Sequence, residues 1–96
     1  MYDEDLKYID ECLSGNEKAF ERILDKYEKL VFRIALRMTN NCINAEGITR
    51  TVFINVFNEL SSFDRKNEFV NWLYDIAVNE TVNYCEKQSK LVPGKL

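Results

Sequence analysis

Between Phe20 and Met38 the residues Phe20, Ile23, Leu24, Tyr27, Val31, Ile34, Ala35 and Met38 recur at three and four. That spacing places them on one face of a helix of about six turns. A second stripe of the same kind runs through Phe69, Trp72, Leu73, Ile76 and Ala77. Val70, Tyr74, Thr81 and Cys85 widen it on one flank, and the helix reads from Phe69 to Lys87. A chain with two such stripes must find helical partners for them. Two shorter segments supply these. Leu6, Ile9 and Leu13 share a face between Asp3 and Leu13, where early acids suit the positive end of the helix dipole. Ile48, Val52, Phe53, Val56, Phe57 and Leu60 share a face between Ala45 and about Leu60.

Boundaries follow from breaker and cap chemistry. Ser14-Gly15 ends the first helix. Asn16 reads as the N-cap of the second and Asn44 as the N-cap of the third, with Thr39-Asn40-Asn41 as the turn between them. Ser61 to Asn67 is the longest polar connection. The polar end from Gln88, with Pro93-Gly94, reads as leaving the domain. The fold class is therefore all-α, a compact bundle of four helices over 1–90, with 91–96 as a tail or the start of an interdomain linker. In 96 residues there is room for one small domain.

Composition excludes more than it assigns. The chain has no histidine, which removes Ser-His and Cys-His nucleophile pairs and histidine metal sites. Cys12, Cys42 and Cys85 form no CxxC and read as core or half-buried residues, so neither a disulfide framework nor a zinc site is expected. No catalytic carboxylate pair stands out. The expectation is a non-enzymatic protein with no metal and no cofactor. The acidic N-terminus is unlike a signal peptide and no apolar run reaches membrane-span length, so the default is cytoplasmic. Net charge is −3, without the basic surplus usual in nucleic-acid binders. In the second helix Glu17, Lys18, Glu21, Arg22, Asp25, Lys26, Glu28 and Lys29 alternate in sign, which reads as a solvated face with weak ion pairs.

Three stretches in order carry a resemblance: GNEKAFERILDKYEKLVFRIALRMTNN, NAEGITRTVFINVFNEL and FDRKNEFVNWLYDIAVNETVNYCEK. Gly15 with Ala19-Phe20, Ala45-Glu46 with Val52-Phe53, and Phe69-x-x-Trp72-Leu73-x-x-Ile76-Ala77-x-Asn79 are its specific pieces. Together they resemble region 2 of bacterial sigma factors, and most of all the extracytoplasmic-function (ECF) type. The resemblance implies a module that binds core RNA polymerase and the promoter minus-ten element to start transcription. It implies that the third helix docks on the clamp helices of the polymerase largest subunit, through Glu46, Gly47, Arg50, Thr51 and Asn55. It implies that the 61–67 loop and the fourth helix hold the non-template strand of promoter DNA, through Phe63, Arg65, Lys66, Asn67, Asn71, Asn79, Asn83 and Lys87. Stacking and amide contacts to base edges fit those residue types. An anti-sigma factor is a further partner the resemblance admits, and Pro93-Gly94 resembles the start of the linker in a longer sigma factor.

The sequence also departs from the family. Gly47 stands where the family has Asp, and Arg50-Thr51 where it has Gln-Glu. Asp75 and Val78 replace arginines, Asn83 replaces an Asp, and Glu86 lies where bases cluster. Those acids motivate the alternative, a sigma-like protein-interaction module that has lost DNA binding.

Overall fold

The computed structural model describes residues 4–91, with side chains through residue 88. Four helices follow in order: α1 over Glu4–Leu13, α2 over Ala19–Thr39, α3 over Cys42–Glu59 and α4 over Phe69–Leu91. A 3-10 turn, Leu60–Ser62, follows α3. No strand occurs among the described residues. The bundle of four helices expected from the apolar stripes is the fold observed.

The long α2 lies at the centre and packs against all three other helices. Its Ile23, Val31 and Ala35 are at most 1% exposed. Ile9 of α1, Val52 and Val56 of α3, and Phe69, Leu73 and Ala77 of α4 close around them. Two threonines reach this apolar interior without loss. Thr49 and Thr81 each donate to the carbonyl one turn back, Ala45 and Ala77, at 2.7 Å, which meets the hydrogen-bonding need of a buried hydroxyl.

The helix ends show where local signals competed. Gly15 closes α1 as expected. Its φ of +109° lies in the region that favours glycine, and it lets Asn16 N–H reach back to Glu11 O at 3.0 Å. Asn16 is not a side-chain cap. The chain enters α2 through a tight turn in which Ala19 N–H bonds to Asn16 O, and Lys18 holds the cap position without a side-chain bond. The N-cap of α3 is Asn41 rather than Asn44. Its Oδ1 accepts from Asn44 N–H at 2.9 Å, so α3 begins at Cys42. Asn40 just before it is left-handed, with φ of 53°, a conformation asparagine tolerates better than most residues. The fourth helix continues past Lys87 to Leu91, where the sequence reading ended it. Pro93-Gly94 lies outside the described residues.

Five side chains depart from the expected core, beginning with Leu13 and Met38, which are 46% and 42% exposed. Phe57 is 38% exposed, although its ring meets Phe20 edge-on at 5.1 Å. Tyr74 is half exposed. Cys42 is exposed at the start of α3, whereas Cys12 is buried and Cys85 half-buried.

Candidate nucleic-acid interface

The 61–67 loop is fixed at both ends. Leu60 and Phe69 are 2% exposed. Between them Asp64 builds a turn: its Oδ1 accepts from Lys66 N–H and its carbonyl from Asn67 N–H, each at 2.9 Å. The turn presents Lys66 and Asn67 to solvent. Arg65 is exposed but pairs with Asp10 of α1. Phe63, offered by the sequence as a stacking platform, is 7% exposed. Its ring meets Phe69 edge-on at 5.5 Å and Trp72 at 5.2 Å. The structure therefore places Phe63 in the core, where its ring is closed to a base.

On α4, Asn71, Asp75 and Asn79 are exposed along the outer face. Asn71 and Asn79 stand two turns apart, about 12 Å at ~1.5 Å per residue. Asn83 and Lys87, also exposed, turn toward α3. They line a groove with Gly47, Thr51, Glu80 and Glu86. The two sets of residues expected from the sequence are thus regrouped. Lys66, Asn67 and Asn71 gather at the start of α4, while Asn83 and Lys87 lie beside the third-helix set at the other end.

Within that third-helix set, Glu46 and Arg50 are exposed. Thr51 is exposed and its hydroxyl donates back to Gly47 O at 3.1 Å. Asn55 is half-buried and donates to Glu80 Oε1 at 3.0 Å, tying α3 to α4. Glu80 escaped the sequence reading because its partner lies 25 residues away. A Cβ added at Gly47 would meet only the end of Arg50, at 4.0 Å, so no neighbour requires glycine there. Gly47→Ala is expected to raise stability by about 1 kcal/mol, read as a higher urea midpoint with unchanged slope.

Sequence reasoning also missed Ile54, which is 60% exposed. With Phe20, Leu24, Phe53 and Phe57 it forms an apolar groove between α2 and α3 that has Arg50 at its rim. The signal was present: Ile54 is a large apolar residue off the buried stripe of its helix.

The comparisons with known proteins agree with this arrangement. The family profile described as Sigma-70 region 2 matches residues 23–91. The chain is 34% identical over 82 residues to the ECF RNA polymerase sigma factor SigW of Bacillus subtilis, covering 85% of this chain and 44% of that protein. It is 28% identical over 86 residues to the ECF RNA polymerase sigma-E factor of Escherichia coli K12, covering 90% and 44%. The chain thus spans about half the length of the curated relatives it matches. An NMR structure of an engineered region 2 of sigmaE in complex with GTAAAA superposes with a TM-score of 0.86 at 27% identity, covering 97% of this chain and 99% of that one. With its four helices in that arrangement and the profile spanning most of its length, the chain belongs to the sigma-70 region 2 family.

Proposed function

We propose that this domain is the promoter-recognition module of an ECF-type sigma factor, binding core RNA polymerase and the promoter minus-ten element to start transcription. The observation that carries the reading is the near-complete superposition on a sigmaE region 2 in complex with GTAAAA. On this reading Lys66, Asn67, Asn71 and Asn79 contact the non-template strand, with Asn83 and Lys87 further along α4. Polymerase meets α3 through Glu46, Arg50 and Thr51, and Ile54 adds the apolar anchor that the polar set lacks. Asn55 holds Glu80 and supports the surface from behind. A cytoplasmic site of action and control by an anti-sigma factor belong to the same reading. No described helix is long and apolar enough to cross a membrane.

Two measurements test it. Fluorescence anisotropy with single-stranded GTAAAA and permuted strands should show sequence-selective binding that weakens with salt. Ile54→Asp should weaken binding to core polymerase at least about tenfold, the loss expected when a buried aliphatic anchor worth ~1.5 kcal/mol or more is replaced by a charge. Ile54 is exposed, so the variant keeps its fold, unlike substitutions at Ile48 or Phe53, which are 4% and 5% exposed. The exposed acids Asp75 and Glu86 on α4 favour a second reading, an interaction module without DNA binding. Polymerase binding with no strand selectivity would decide for it.

A further inference from the structure

Among its described side chains the fourth helix is poorly equipped to neutralise phosphate, because its exposed face sets Asp75 and Glu86 against one base, Lys87. Most of the bases lie elsewhere. Lys18, Arg22, Lys26, Lys29, Arg33 and Arg37 follow one another at intervals of four, four, three, four and four, which is the repeat of one helix face. These six of the chain's 13 lysines and arginines are all exposed. From Arg22 to Arg37 they run about 22 Å at ~1.5 Å per residue. Of these six, only Lys26 forms an ion pair with a described residue, with Glu4 and Asp5 of α1. Of the α2 acids, Asp25 and Glu28 line a groove toward α3 together with Glu46, Lys29 and Arg50.

At the far end this stripe meets α4. Arg33 and Arg37 line a groove whose other wall is Tyr74 and Val78, with Leu30 and Met38 contributing apolar surface. Among the described residues no carboxylate lines it. Tyr74 is 50% exposed and lies one turn from Asn71, so the groove adjoins the strand-contacting residues proposed above. Unpaired arginines beside an exposed aromatic ring, with no acid between them, suit a nucleic-acid strand: the guanidinium groups meet phosphates and the ring meets a base face. Arg33 and Arg37 are one turn apart, about 6 Å. A duplex strand presents a charge every ~3.4 Å along its axis, so both can be engaged at once. An acidic protein surface would satisfy the arginines but leave the exposed ring without purpose.

We propose that the groove between α2 and α4, through Arg33, Arg37 and Tyr74, is a phosphate-backbone and stacking site for single-stranded DNA, and that it supplies the electrostatic affinity that α4 lacks. The inference rests on the nucleic-acid reading above but names a different surface. Its test is the salt dependence of binding to mixed-sequence single strands of about 20 nucleotides, long enough to cover the groove. Titrations begin near 20 mM salt, where screening is weak. The double variant Arg33→Gln/Arg37→Gln is expected to bind about tenfold more weakly, with a log–log salt slope shallower by about 1.4, two single-strand contacts at ~0.7 each. Tyr74→Ala should lose at least about fivefold in affinity while keeping the slope. Lys7→Glu, at an exposed position of α1, shifts the net charge by the same two units away from the groove and should keep the wild-type slope. Circular dichroism confirms the fold of each variant, all changes being at exposed positions. If wild type binds and the Arg33→Gln/Arg37→Gln protein matches it in affinity and slope, the groove is overturned alone. If wild type binds no strand at any salt, the nucleic-acid reading and the groove fall together.

Discussion

Phe63→Ala should lower the stability of this domain by about 3–5 kcal/mol, the usual cost of truncating a buried phenylalanine. For a domain of this size each kcal/mol moves the melting temperature by about 4–8 °C, so the midpoint should fall by well over 10 °C. The reason is the aromatic cluster beneath the 61–67 loop. Phe63, Phe69 and Trp72 meet pairwise with ring centroids 5.2–5.7 Å apart, and Tyr27 meets Phe69 at 5.6 Å. Truncating Phe63 leaves a gap that Phe69, 2% exposed and held from three sides, has little freedom to fill. The loop then loses its only buried side chain between Leu60 and Phe69. Phe63→Leu should recover much of the loss. A base-stacking Phe63 on an open loop would behave in the opposite way. Its alanine variant would melt like wild type, as surface substitutions do within about 0.5 kcal/mol, and would fail only in strand binding. Thermal melts of Phe63→Ala and Lys66→Ala side by side separate the two roles.

The frame of the molecule was legible because each helix repeats its apolar spacing over several turns. What escaped was set by single side chains or by contacts distant in sequence. Asn41 and Asn44 are both chemically suitable caps for α3. Which of them serves depends on where the turn at the left-handed Asn40 releases the chain, and periodicity carries no trace of that. Gln88 and Lys90 look like tail by polarity, yet both residue types propagate helix well, and α4 runs on through them. Phe63 shows the limit of treating loops as surface: its burial comes from rings on α4, and the loop sequence alone does not contain it. The basic face of α2 was legible and passed over. Along the chain, each acid is followed by a base, in Glu17-Lys18, Glu21-Arg22, Asp25-Lys26 and Glu28-Lys29. Adjacent residues stand about 100° apart around a helix. Signs that alternate in sequence therefore segregate in space, and the fold turns an apparent mixture into a basic edge and an acidic one. The same geometry reconciles a net charge of −3 with the nucleic-acid partner proposed above: on that proposal a strand meets the charge of one edge.

Tyr27→Phe should cost about 1.5–3 kcal/mol at neutral pH, the range for a hydrogen bond to a charged group, and should also change how the domain responds to alkali. Asp5, in the first turn of α1, is 7% exposed. The Tyr27 hydroxyl donates to its Oδ2, and Lys26 Nζ donates to its Oδ1 at 2.8 Å. Burial, then the bond to Asp5, pushes the Tyr27 hydroxyl up to about 12. Lys26 is raised as well, first by its hydrogen bond to Asp5. Both groups thus hold their protons more tightly folded than unfolded, where they titrate near 10 and 10.4. Their contribution is complete below those values and is lost as pH rises through the folded ones. Wild-type stability should stay level up to about pH 9 and decline between about pH 10 and 12. Without the phenol, Tyr27→Phe begins lower but declines less steeply, so the two curves converge in alkali. Urea midpoints from pH 7 to 11.5 would show it, and parallel curves would refute the assignment of Tyr27 as the group that titrates. The consequence reaches the interface. The same helix that Asp5 pins to α2 also offers Asp10 to Arg65, so loosening α1 releases Arg65 and one of the ties on the 61–67 loop. Strand affinity of Tyr27→Phe should therefore change through the loop, although Tyr27 itself is buried away from any strand.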